Sequence, residues 1–213
     1  MRKNLFIAFE GIDGSGKSTQ AKLLAQHLKN AGHKVYTTFE PTDSPIGSLI
    51  RNIMKGRMNA DHKTIAGLFV ADRLDHLLNE VDGMVKKLEE GYTVLTDRYY
   101  FSSYAYHGTH MNMDWVIQAN GMSAKILKPD INLFIDVSPD VAMTRINENR
   151  IVLDLYETHD NLNKVREKYF EAFDKLKHQE IVAIIDGNRS VEAISNDIFG
   201  KIEYLTKLEK PVA

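Results

Sequence analysis

The chain has 213 residues, of which 43% are hydrophobic and 26% charged, with a formal net charge of −2. That length buries one sizeable core, and the charge balance excludes a general nucleic-acid binder, which carries a marked basic excess. The absence of cysteine excludes disulfides, thiolate metal sites and cysteine nucleophiles, and it suits a reducing compartment.

Met1-Arg2-Lys3-Asn4 precedes an apolar run at residues 5–9 that Glu10 ends. The run is shorter than a secretory signal, and no stretch of about 18 apolar residues predicts a membrane span. The chain is therefore read as cytoplasmic, with no membrane or nucleic-acid partner, and residues 5–9 as a buried first strand. A helix is predicted over 18–30, where Ala21, Leu24, Ala25 and Leu28 recur at i, i+3, i+4 and i+7, and Gly32 is a stop signal. Residues 35–39 read as a second strand ended by Pro41 and Pro45, and 46–55 as a helix. Residues 61–90 read as helical with a break near Asp82-Gly83, and 93–96 as a third strand. Residues 100–127 are mostly helical, interrupted around Gly108 and at Asn120-Gly121. A fourth strand at 131–137 leads to a helix at 139–149. Val165, Tyr169, Phe173 and Leu176 line the face of another helix, before a fifth strand at 181–185 and a closing helix at 191–208. Strands alternating with helices predict an α/β fold in a single domain, 1–213: a five-stranded parallel sheet with helices on both faces.

Between the first strand and the first helix stands Gly11-Ile12-Asp13-Gly14-Ser15-Gly16-Lys17-Ser18, followed by Thr19. It fits the phosphate-binding pattern G-x-x-x-x-G-K-[ST]. The glycines let the backbone curl so that N–H groups converge on phosphate oxygens. Lys17 brings a cation to the β- and γ-phosphates, and the Ser18 hydroxyl is a ligand for Mg²⁺. The helix adds its positive dipole end. This predicts nucleoside triphosphate binding and leaves the acceptor open, because switches, ATPases and small-molecule kinases share the loop.

Three further clusters bear on the acceptor. Asp97-Arg98-Tyr99 follows the third strand, at the carboxyl end of a sheet where ligands bind. There Asp97 can serve a metal and Arg98 can bridge phosphates, a reading favoured over that of a surface ion pair. Phe69 and Arg73 are four apart and share a helix face, with Asp72 beside them. They suit a stacked and hydrogen-bonded base, although taken alone a core aromatic and a solvated charge fit better. Ser102-Ser103-Tyr104-Ala105-Tyr106-His107-Gly108 is dense in hydroxyls and rings that suit a sugar and base, or structural tyrosines.

In order and spacing these pieces resemble the thymidylate kinase family over nearly the whole chain. The resemblance rests on Phe9-Glu10 with the phosphate loop, Phe39-Glu40-Pro41-Thr42, the helix string 68–77, Asp97-Arg98-Tyr99 with Ser102 to Tyr106, and Pro129-Asp130 leading into the fourth strand. It implies a P-loop, nucleoside-monophosphate-kinase-like fold with a lid at about 147–159, ATP as phosphate donor, Mg²⁺, and a homodimer. It also implies roles. Asp13 contacts the nucleotide sugar and the acceptor phosphate. Phe69 stacks on thymine and Arg73 hydrogen-bonds it. Arg98 holds the acceptor phosphate, Ser103 touches the base, Tyr106 lies under the sugar, and Asp97 serves the metal.

Some positions depart from the family pattern. Ser15 leaves the loop without an arginine, so the lid is expected to supply cations, with Arg145 and Arg150 as candidates. Asp154 and Glu157 match the family's acidic lid pair, while Leu155 stands where many members carry arginine. His107 stands where bacterial members often carry glutamine, and Phe39 where arginine often precedes Glu-Pro. The expected activity is ATP-dependent phosphorylation of dTMP to dTDP. The alternatives are a related deoxynucleotide kinase, a deoxynucleoside kinase using Glu10 as base, a GTP switch, or a silent nucleotide binder. Asn163-Lys164-Val165-Arg166 lacks the aspartate of the guanine-reading motif of such switches.

Overall fold

The computed structural model describes residues 4–149 and 158–208. The chain alternates strands and helices from the start: β1 (Phe6–Glu10), α1 (Lys17–Asn30), β2 (Val35–Phe39), α2 (Pro45–Met54), α3 (His62–Leu78) and α4 (Met84–Glu89). It continues with β3 (Thr93–Asp97), α5 (Tyr100–Gly108), α6 (Met113–Ala119), α7 (Gly121–Ile126) and β4 (Ile131–Asp136). The last elements are α8 (Pro139–Asn149), α9 (His159–Leu176), β5 (Val182–Asp186) and α10 (Val191–Leu208). The five strands form one sheet in the order β2-β3-β1-β4-β5, and every pairing is parallel.

β1 is central and buried on both faces, as expected for a strand sandwiched between helix layers. Its side chains alternate. Phe6 and Ala8 enter a core with Phe134, Tyr169 and Phe173, under α5 and α9. Ile7 and Phe9 enter the other core with Leu24, Leu28, Ile198 and Ile202, under α1 and α10. Burying each of these phenylalanines contributes roughly 2–3 kcal/mol, so the strand that launches the phosphate loop is among the most firmly held elements.

The two long helical stretches divide where interruptions are predicted, before Met84, after Gly108 and at Asn120-Gly121. The stretch 61–90 becomes α3 and α4 because the Asn79 side chain accepts from the Val81 N–H (2.9 Å), a local turn that competes with the helix. The stretch 100–127 becomes α5, α6 and α7. Asn112 restarts the chain by accepting from the N–H groups of Asp114 and Trp115. Among the described residues no helix is long and apolar enough to cross a membrane. Of the expected lid, α8 and α9 bracket residues 150–157, which lie outside the described residues together with Arg150, Asp154 and Glu157.

Candidate active site

β1 and β3 are paired with Phe9 opposite Asp97, so the phosphate loop and Asp97-Arg98 leave the same end of the sheet side by side. Gly11, Gly14 and Gly16 all take positive φ. At two of them space is also decisive. A Cβ on Gly11 would lie 2.7 Å from the Ile135 carbonyl oxygen, and one on Gly14 would lie 2.5 Å from that of Ala142. The N-cap of α1 is Gly16, which has no side chain to bond the first-turn N–H groups, so these stay directed at the cavity above them.

That cavity, of about 700 Å³, is lined by Asp13, Gly14, Gly16, Lys17, Ser18, Thr19, Asp97, Arg98 and Arg145, with Thr37 to Glu40 opposite. Lys17 is buried with its Nζ on the Ile12 carbonyl (3.0 Å). Burial and then repulsion from Arg98 push its ammonium down to about 8, against the pull of Asp97, Asp13 and Glu10. Ser15 is buried beneath the loop, and its backbone carbonyl accepts from Arg145, which also reaches the Gly187 carbonyl (2.9 Å). Ser18 Oγ donates to Asp97 Oδ2, while Asp97 Oδ1 is buried without a hydrogen-bond partner among the described residues. A hydroxyl beside a carboxylate with an unused oxygen is a donor set that fits a hard, oxygen-seeking cation.

A second cavity, of about 260 Å³, is lined by Asp13, Phe39, Pro41, Arg51, Met54, Lys55, Phe69, Arg98, Ser102, Ser103, Tyr106 and His107. The two cavities share Asp13, Phe39 and Arg98. At this junction Arg98 Nη2 pairs with Asp13 Oδ1 (2.7 Å), and the Tyr106 hydroxyl donates to Asp13 Oδ2 (2.8 Å). The guanidinium also lies 4.8 Å above the Tyr106 ring. Burial raises the Asp13 carboxyl, but Arg98, Lys17 and the bond from Tyr106 outweigh it and hold the group at about 2. Arg98 is the one non-glycine among the described residues with positive φ (76°). That conformation costs roughly 1–2 kcal/mol and aims the side chain at the junction instead of outward.

The predicted base-binding pair separates. Phe69 lines the second cavity, with its ring 5.1 Å from that of His107. Arg73 is 1% exposed and lines neither cavity. Its guanidinium donates to Glu40 twice, to Ser103 Oγ, to Asn120 Oδ1 and to the Tyr99 carbonyl, which engages all of its N–H groups. Arg73 thus stands behind the cavity wall and orients Ser103 within it. Asp72 accepts from Thr42 N (2.8 Å), Thr42 Oγ1 (2.6 Å) and Ser44 Oγ (2.9 Å), and so fixes the loop after β2.

Sequence reading missed Pro41, the lining residues Arg51 and Met54 on α2, and Lys55 at its C-terminal end. The signal was present, since 51, 54 and 55 recur at i, i+3 and i+4, the spacing of one helix face. Arg51 donates to the carbonyls of Pro41 and Thr42, tying α2 to the loop it caps.

His107 and Glu10 carry opposite proton linkages. Burial, Arg73, His110 and His62 push His107 from 6.5 down to about 3. Between those values the unfolded chain binds more protons, so this group's contribution is lost as pH falls. Burial pushes Glu10 from 4.5 up to about 7, against hydrogen bonds from Ser102 and Tyr169 and the charge of Arg98. There the folded chain binds more protons, and the contribution is lost as pH rises. Each slope reaches about 1.4 kcal/mol per pH unit, and from pH 4.5 to 6.5 they oppose. Replacing His107→Gln should tilt stability in that window toward a fall with rising pH, and Glu10→Gln should tilt it the other way. Denaturant unfolding at several pH values reads both, and parallel profiles for wild type and both variants reject the assignment.

The thymidylate kinase family model matches residues 9–198. The chain is 38% identical to a probable thymidylate kinase of Thermococcus kodakarensis, over 94% of this chain and 98% of that one. It is 36% identical to the probable thymidylate kinase of Methanocaldococcus jannaschii, over 96% and 99% of the two chains. A third relative, from Caldivirga maquilingensis and similarly described, is 37% identical over 95% of each. The phosphate loop, the paired cavities and these matches agree: the chain belongs to the thymidylate kinase family.

Proposed function

We propose that this protein transfers the γ-phosphoryl group of ATP to dTMP, giving dTDP and ADP. The observation that carries this reading is the meeting of two cavities at Asp13 and Arg98. The larger suits a triphosphate over the phosphate loop. The smaller, with Phe69 and Pro41 as apolar walls, suits a pyrimidine deoxynucleotide. In this reading Lys17 and Arg98 neutralise charge on the transferring and accepting phosphates, while Asp13 and Tyr106 hold the sugar side. Phe69 stacks on the base, and Ser103 and His107 face its edge. Ser18 and Asp97 are the residues that would hold Mg²⁺, which supplies further charge neutralisation. Arg145 sits on the donor side. Catalysis is positioning plus electrostatics, because the attacking monophosphate oxygen is already anionic and needs no general base.

The deoxynucleoside kinase alternative needs a carboxylate to take a proton from a 5′-hydroxyl. Glu10, its candidate, is fully buried, accepts from Tyr99 N, Ser102 Oγ and Tyr169 OH, and lines neither cavity. That geometry favours the monophosphate. An ADP-release assay across dTMP, dUMP, dAMP, dGMP, dCMP and thymidine should show highest kcat/KM with dTMP, and turnover with thymidine alone rejects the proposal. The purified protein should run as a homodimer in light scattering.

A further inference from the structure

Glu10 is the last residue of β1, paired beside Phe134 of β4 in the middle of the sheet, and it is fully buried. The phosphoryl-transfer chemistry makes no use of it. A buried carboxylate in the central strand is costly unless its surroundings need it, and two of the hydrogen bonds it accepts, from Tyr99 N–H and Ser102 Oγ, lead toward one residue. Oε1 accepts the Tyr99 backbone N–H (2.9 Å), the peptide immediately after Arg98. Oε2 accepts from Ser102 Oγ (2.6 Å), and Ser102 Oγ in turn accepts from Arg98 Nη1 (3.0 Å). Arg98 is therefore gripped at its backbone, where φ is positive, and at its guanidinium, by the two oxygens of one carboxylate.

We propose that Glu10 is a positioning residue that fixes Arg98 at the junction of the two cavities, acting through the Tyr99 N–H and the Ser102 hydroxyl. The direction of the Ser102 proton is the working part. While Ser102 donates to Glu10, its lone pairs face Arg98 Nη1. Tyr169, on α9, reaches the same Glu10 oxygen (3.0 Å) and the Ser102 hydroxyl (2.8 Å), so the helix that follows the lid segment joins the network. In Glu10→Gln the amide oxygen keeps the Tyr99 bond. The amide NH₂, however, turns toward Ser102 and Tyr169 and reverses the donation. Both Ser102 lone pairs then take donors, its own proton must turn from the Glu10 position to another acceptor, and the link from the carboxylate's charge to Arg98 is lost.

The inference rests on the reading of Arg98 as the acceptor-phosphate residue, and a double-mutant cycle separates the two. Glu10→Gln should lower kcat/KM for dTMP about tenfold, through a raised dTMP KM, with the ATP KM within about twofold of wild type. In an Arg98→Lys background, where the fork that Ser102 orients is gone, the same change should cost less than about twofold. An equal loss in both backgrounds, or an ATP KM that rises in step, overturns the inference. An Arg98→Lys enzyme with an unaltered dTMP KM instead overturns the underlying reading. Should Glu10→Gln fail to fold, Ser102→Ala carries the same cycle, because it cuts the link from the carboxylate to the guanidinium and leaves the bond from Tyr99 N–H to Glu10 in place.

Discussion

Replacing Lys17 with alanine should lower kcat by roughly 10²–10³-fold while the protein stays folded. Lys17 is the first residue of α1, and its ammonium is the cation closest to the loop's own carbonyls, on Ile12 at 3.0 Å. Burial and Arg98 bring its pKa to about 8, so the charged form is held at a cost in the free protein. A triphosphate beside it reverses that balance. The ammonium leaves the Ile12 carbonyl for anionic oxygens, and its stabilisation grows as charge shifts from the attacking to the leaving oxygen. The folded state does not depend on it. α1 is anchored by Ala21, Leu24, Ala25 and Leu28 in the core under α10, and removing a desolvated cation near Arg98 relieves repulsion. The melting temperature should therefore stay within a few degrees of wild type while turnover collapses. Steady-state kinetics with ATP and dTMP, beside thermal unfolding, make the test. Unchanged kcat in the Lys17→Ala enzyme refutes the phosphate-loop mechanism, and a large fall in melting temperature shows that the lysine is structural.

The order of elements was legible because the three inner strands, β1, β3 and β4, are buried on both faces and read as short apolar runs. The second strand, 35–39, was placed to the residue. The first was placed one residue early for an instructive reason. Glu10 reads as a charge that ends a strand, yet it pairs with Phe134 inside the sheet because Tyr99, Ser102 and Tyr169 satisfy its carboxylate. Those partners come from 89, 92 and 159 positions away, and no local pattern encodes them. The phosphate loop was legible because its chemistry is written in adjacent residues. The acceptor side was legible only by resemblance, because its walls come from β2, α2, α3 and α5. Helix periodicity correctly put Phe69 and Arg73 on one face, but depth along that face depends on what lies opposite. For Arg73 that is Glu40 and Asn120, 33 positions earlier and 47 later.

This depth sets the second large effect: Arg73→Ala should destabilise the fold by about 3–5 kcal/mol. At this chain length that is a fall in melting temperature of roughly 10 °C or more. Arg73 and Glu40 are both almost wholly buried, and the arginine is the main force that lowers the Glu40 carboxyl against the effect of burial. Without it, among the described residues, Glu40 keeps its contact with His76 Nδ1 (3.1 Å). Burial then governs, and the Glu40 pKa rises above its unfolded value. The sign follows: a group with a raised folded pKa loses its contribution as pH rises, so the deficit of the variant should be smaller in mild acid than at neutral or alkaline pH. Arg73→Lys should fall between, since one ammonium cannot satisfy Glu40, Ser103, Asn120 and the Tyr99 carbonyl together. The dTMP KM should also rise, but as a consequence, because Ser103 in the cavity wall loses the donor that orients it. The two roles are separable by experiment. If Arg73 served chiefly to read the base, the Arg73→Ala enzyme would melt like wild type and differ only in dTMP affinity. If it is the central tie between α3, the loop after β2 and Ser103, stability falls with a pH-dependent deficit, and saturating dTMP recovers only part of it through binding linkage.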